Sequence, residues 1–102
     1  MKNGDIWRAL AEPLRRQLLE ILRAGAQPAG QLALTTGHSQ PLVSQHLRVL
    51  LDAGLVRVSP QGRSRLYGLN EEGFRTVADW LAHYEVFWSE RLDRLAEVVE
   101  QR

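Results

Sequence analysis

Cysteine is absent from this chain. Its absence excludes a disulfide framework, a thiolate metal site and a cysteine nucleophile, and it fits a reducing compartment. Long apolar runs are absent too. No stretch approaches the roughly 20 residues that a membrane-spanning helix needs. The N-terminal "MKNGDIWRALAEPLRR" lacks the apolar core of a secretory signal, so no membrane partner is expected. There is no G-x-S-x-G elbow, no glycine-rich phosphate loop and no paired-carboxylate signature. Ser44 and His46 are two residues apart on a helical stretch, so their side chains diverge and cannot form a local Ser–His couple. These absences argue against an enzyme.

What is present is an ordinary globular composition, 44% apolar and 25% charged over 102 residues. Neither repeats nor a long linker divide it, so a single domain spanning 1–102 is expected, with a core small enough to gain from a partner. The net charge of +1 hides an uneven distribution. Between residues 38 and 70, Arg48, Arg57, Arg63 and Arg65 are opposed by Asp52 alone, while the acidic excess sits in the last third of the chain. A localised basic surface suits a polyanion.

The elements follow from local signals. "IWRALA" predicts a short first helix, with Ile6, Trp7 and Leu10 apolar. Pro13 suits the first turn of a second, which carries Leu14, Leu18, Ile21 and Leu22 on one face and ends at Ala24-Gly25. "PAGQLALTT" predicts a third, closed by Gly37. Ser39 can cap a fourth helix over about 40–53, ended by Gly54. "LVRVS" and "SRLYGL", joined by the turn-forming "PQGR", predict a β-hairpin over about 55–69. From about 71 to 100, Phe74, Val77, Leu81, Tyr84, Trp88, Leu92, Leu95 and Val99 recur every three or four residues. That is one amphipathic helix of roughly 45 Å, too long to bury its stripe against so small a body.

The fourth helix poses the functional question. Val43, Leu47, Leu50 and Leu51 share about 100° of arc, whereas Pro41, Ser44, Gln45, Arg48 and Asp52 fall on the far side. A merely solvated face is usually richer in Glu and Lys. An α-helix fits the DNA major groove, where Gln can read adenine bidentately, Ser can donate or accept, and Arg can bind guanine or phosphate. The hairpin would reach flanking backbone or minor groove with Arg63 and Arg65. The order α-α-α-α-β-β-α, mainly α with a small β-hairpin (an α+β chain), is that of a winged helix-turn-helix.

The run "VSQHLRVLLDAGLV" followed by "QGRSRLYGL" resembles the ArsR/SmtB family of bacterial transcriptional regulators, whose pattern is V-S-x-H-L-x-x-L-x-x-A-G-L-V and then G-R-x-x-x-Y-x-L. "RALAEPLRRQLLEIL" is similar to the family's opening A-D-P-x-R-x-x-I-L, with Glu12 where Asp is usual. The resemblance implies a homodimeric repressor that binds inverted-repeat operator DNA, in the cytoplasm and associated with the bacterial nucleoid. By position it makes Ser39, Gln40, Ser44, Gln45, His46 and Arg48 recognition residues, with Arg63 and Arg65 on the wing. His46 lies at the edge of the apolar face and either touches the DNA backbone or packs there. His38 replaces a residue usually apolar in the family and reads as an exposed turn histidine.

Many such regulators respond to metals. The third helix here has no cysteine ligand, and the last has Leu81 two residues after Asp79 and no histidine beyond His83. Asp79 and His83 share an i, i+4 spacing, but two ligands fall short of a tetrahedral set. No metal or other cofactor is expected. "WLAHYEVFWSERLDRLAEVV" instead resembles a subgroup with W-L-x-x-Y-x-x-F-W-x-x-R-L-D-x-L and no metal ligands. Trp80, Tyr84, Phe87, Trp88, Leu92 and Leu95, with Ile6, Trp7 and Leu10 of the first helix, then form the expected dimer interface. A metal-responsive repressor and a winged-helix protein-interaction module are the rival readings. The operator, the regulated genes, the effector and the choice between repression and activation are not encoded legibly.

Overall fold

The computed structural model describes residues 2–100, with side chains from 5 to 99. Its elements are α1 (Lys2–Leu10), α2 (Pro13–Leu22), α3 (Ala29–Thr36), α4 (Gln40–Asp52), β1 (Val56–Gln61), β2 (Ser64–Leu69) and α5 (Glu71–Glu100). The order is the expected one. The first helix starts ahead of the "IWRALA" segment, at Lys2, and Asp5 in its first turn suits the positive end of the helix dipole.

Local chemistry accounts for most boundaries. Pro13 occupies the first turn of α2, and the Glu12 carboxylate accepts from the Leu14 N–H at 3.5 Å, a long contact for a cap. Gly37 ends α3 in the left-handed region, φ +73, with its N–H donating to the Ala33 carbonyl. Ser39 Oγ accepts from the Leu42 N–H at 3.3 Å and opens α4. These caps fix where the helix-turn-helix bends.

The helices meet in a core of aliphatic side chains. Leu18 of α2, Leu32 of α3, and Val43, Leu47 and Leu50 of α4 are completely buried, together with Leu55 at the root of the hairpin. Each such side chain contributes about 1.5–3 kcal/mol relative to exposure. Among the described residues no polar or charged side chain is buried. The polar face of α4 is therefore left entirely to the outside.

β1 and β2 pair antiparallel from Val56↔Leu69 to Gln61↔Ser64. The turn is only Gly62-Arg63. Gly62 takes φ +62 and Arg63 does not have positive φ, the pattern of a type II′ hairpin turn. Pro60 thus lies within β1 rather than in the connecting turn that "PQGR" suggested. The pair flanking a two-residue turn exchanges hydrogen bonds, so Pro60 opposite Arg65 is a non-hydrogen-bonded site and its missing N–H has no ladder partner to lose. A third stub joins on the other side. The Gln27 N–H donates to the Tyr67 carbonyl and the Tyr67 N–H to the Gln27 carbonyl, each at 2.9 Å. The wing is thereby fastened to the segment that leads into α3.

Among the described residues α5 meets this body through its N-terminal third, as far as Trp80. Asn70, just ahead of it, donates from Nδ2 to the Gly54 carbonyl at 2.9 Å and from its N–H to the Leu55 carbonyl at 3.0 Å. Phe74 and Val77 pack on the core. From Ala78 to Val99 every residue is exposed, and the molecule measures 61 × 31 × 21 Å because this rod projects from it.

Candidate nucleic-acid interface

The outward face of α4 carries Gln40, Ser44, Gln45 and Arg48, all exposed. Their exposure follows from the 3.6-residue period: burying Val43, Leu47 and Leu50 turns the intervening residues away from the core. The wing brings Arg63 and Arg65 alongside. Gln40, Ser44, Arg63, Ser64, Arg65 and Tyr67 line one open cleft of about 460 Å³ between α4 and the hairpin. Two guanidinium donors and two short polar side chains therefore share one concave, positively charged surface. That arrangement can hold an anionic backbone while offering hydrogen bonds to base edges.

Gln45 and Arg48 are not in the cleft; they stand further along the exposed face of α4. Arg48 Nε lies 3.2 Å from an Asp52 carboxylate oxygen, one turn on, with both side chains mostly exposed. Such surface pairs contribute little, so the guanidinium can exchange its carboxylate for a phosphate. Ser39 is exposed, but its oxygen already accepts at the α4 N-terminus, which leaves its hydroxyl proton as the group it can give to a ligand.

His46 is half-buried at the flank of α4. Its Nδ1 is 3.1 Å from Nη1 of Arg15, a residue of α2. The same guanidinium donates from Nε to the Ala9 carbonyl at 2.8 Å and from Nη2 to the Arg8 carbonyl at 3.1 Å. Arg15 was not among the residues that the sequence singled out. The signal was available: Arg15, Leu18, Leu19 and Leu22 follow at i, i+3, i+4 and i+7, so an arginine stands in the apolar row of α2. His38 is exposed in the turn between α3 and α4.

The expected dimer residues divide. Trp80, Tyr84, Phe87, Trp88, Leu92 and Leu95 form an exposed apolar stripe on α5, between 44% and 63% accessible. Trp7 joins it, with its ring centroid 5.2 Å from that of Trp80 in an edge-on arrangement. Trp80 in turn lies 5.1 Å from Tyr84. Ile6 does not belong there. Its side chain is buried in the chain's own core, 3% exposed, because it lies on the inner face of α1 and Trp7 on the outer. Leu10 is half-buried in a cleft with Leu19, Leu69 and Phe74, which leaves it only partly open to a partner. Asp79 and His83 are exposed and lie across α5 from the aromatic stripe. Among the described residues no three His, Asp or Glu side chains converge as a metal site would need. No helix among them is long and apolar enough to cross a membrane.

Residues 12–58 match the family described as bacterial regulatory protein, arsR family. The chain is 37% identical over 94 residues to the HTH-type transcriptional regulator Rv2034 of Mycobacterium tuberculosis, covering 92% of this chain and 85% of that protein. It is 28% identical to the transcriptional repressor SdpR of Bacillus subtilis, over 79% of this chain and 90% of the repressor. Among solved structures, the homodimeric winged helix-turn-helix DNA-binding domain of Mb0332 from Mycobacterium bovis superimposes with a TM-score of 0.69 at 25% identity, covering 82% of this chain and 81% of that one.

Proposed function

The chain belongs to the arsR family of bacterial regulatory proteins and is a transcriptional regulator with a winged helix-turn-helix DNA-binding fold; from that premise we propose that it works as a homodimeric repressor on an inverted-repeat operator. Residues 1–102 act as one domain, in the cytoplasm with the nucleoid. Each protomer lays α4 in a major groove. Gln45 and Ser44 meet base edges, Gln40 and Arg48 bind base or backbone, and Ser39 donates to a phosphate at the helix start. Arg63 and Arg65 grip the flanking backbone. His46 donates to a phosphate at the rim.

The observation that carries this reading is the common cleft. Two wing arginines and the polar residues of α4 come from separate parts of the chain, yet they line one surface open to solvent. A protein-interaction module has little use for that combination. The dimer rests on the aromatic stripe of α5, which stays exposed along its length with Trp7 packed edge-on at Trp80, and on the homodimeric relative. Two-fold symmetry would then set two α4 helices about one DNA turn apart, so the operator is a palindrome.

Selection of bound duplexes from a random pool tests the whole proposal. A palindromic consensus with half-sites about ten base pairs apart, centre to centre, is the expected result. Enrichment of nothing, at low salt and with dimeric protein, would overturn it.

A further inference from the structure

Arg15 occupies an unusual place. It belongs to α2, it stands in that helix's apolar row, and its guanidinium closes three contacts at once. Two go to the carbonyls of Arg8 and Ala9 in the last turn of α1, which lack a full set of helical partners. The third goes to Nδ1 of His46 on α4.

A guanidinium has donors and no lone pair to accept with. Nδ1 of His46 must therefore be the acceptor, which puts the ring proton on Nε2. The two ring nitrogens diverge, so Nε2 points away from Arg15. Among the described residues Nε2 has no hydrogen-bond partner, and no buried side-chain nitrogen or oxygen is left unpaired. Nε2–H is therefore open to solvent.

We propose that Arg15 is a positioning residue for DNA binding: it locks His46 in the Nε2–H tautomer and aims that single donor at a backbone phosphate. The inference rests on the DNA-binding reading above and adds a residue to it. Arg15 itself need not touch DNA. Its other two bonds hold it against the end of α1, so His46 inherits its orientation from the body of the protein rather than from α4 alone. Without Arg15 the imidazole would distribute its proton over both nitrogens and turn about χ2. Part of the population would then present an acceptor to a phosphate, which repels it.

A double-mutant cycle on the full chain separates this role from a structural one. Arg15→Lys keeps the positive charge, but one ammonium cannot bridge two carbonyls and an imidazole together. It should weaken binding to the selected operator on the order of tenfold. In a His46→Ala background the same change should do nothing further. His46→Gln, which keeps an N–H where Nε2 stands, should retain most of the affinity and become insensitive to Arg15→Lys. In the free protein at mildly alkaline pH, long-range ¹H–¹⁵N spectra should show Nε2 of His46 protonated, and Arg15→Lys should mix the tautomers. Equal losses in both backgrounds, or a tautomer indifferent to residue 15, would overturn the role of Arg15 while leaving the DNA-binding reading intact. Failure of the unsubstituted protein to bind any duplex would overturn that reading, whatever the spectra show.

Discussion

The carbonyl oxygen of Gly54 lies 1.9 Å from where a β-carbon on Gly73 would sit, and the carbonyl carbon 2.7 Å. No side chain fits there. Gly73 is in the first turn of α5 and Gly54 closes α4, so the two glycines set how closely the long helix approaches the end of α4. The Asn70 side chain donates to the same carbonyl from Nδ2 at 2.9 Å.

Gly73→Ala should therefore run against helix propensity. In an open helix the change gains about 1 kcal/mol. Here the backbone of Gly54 must move, and overpacking of this kind costs about 1–3 kcal/mol. A fall in Tm of roughly 5–10 °C is expected for a domain of this size, followed by circular dichroism. An unchanged or higher Tm would mean that the two helices do not meet so closely.

The wing arginines and Gln45 should fail in different ways. Arg63→Ala with Arg65→Ala removes two exposed charges from the mouth of the cleft without touching the core. Affinity should drop for all duplexes alike, and the slope of log K against log salt should shrink by about two per protomer, nearly four for the dimer on a full operator. Gln45→Ala should leave that slope unchanged and relax the base preference at one position of each half-site, a loss of about 1–3 kcal/mol. Titrations at several salt concentrations against matched and mismatched operators check both. Identical profiles for the two variants would show that the division between backbone and base contacts is misplaced.

How far the sequence went is clearest at α4 and α5. Apolar periodicity, the Ser39 cap and Gly54 marked out the helix and its polar face, because those signals are local. The nearness of Arg63 and Arg65 to Gln40 and Ser44 was suggested by the order of elements, but the third stub at Gln27 that fastens the wing was not, since "AQPAG" has no strand pattern. Ile6 and Trp7 looked equivalent as apolar neighbours. Only packing shows one facing the core and the other facing Trp80. Arg15 escaped notice for a related reason. Its three acceptors lie six, seven and thirty-one positions away, and no local pattern announces such a convergence.

Metal titration offers a separate check. With no cysteine in the chain, a zinc site must be built from His, Asp and Glu. Asp79 and His83 are the only histidine–carboxylate pair at ligand spacing on a helix face among the described residues, and both are exposed. Stoichiometric zinc should leave the protein–operator complex unchanged in a fluorescence anisotropy assay. Release of the duplex at one equivalent would instead make this a metal-responsive regulator.

Trp88 is 60% exposed on α5, with its ring centroid 5.4 Å from that of Phe87. Arg91 lies over the Phe87 ring at 4.6 Å, so the stripe contains a charged rim beside its aromatic centre. Trp88 supports nothing in its own chain's core. Trp88→Glu should therefore leave the helix content and the burial of Leu47 and Leu50 unaffected, while placing a carboxylate in the middle of the proposed interface. Desolvating an unpaired charge there costs several kcal/mol per copy, and the symmetry of a dimer counts it twice. Sedimentation should find a monomer at micromolar concentration. Operator affinity should collapse toward that of a single half-site, because the two α4 helices would no longer be held at a fixed spacing. A variant that stays dimeric would place the interface elsewhere on the molecule.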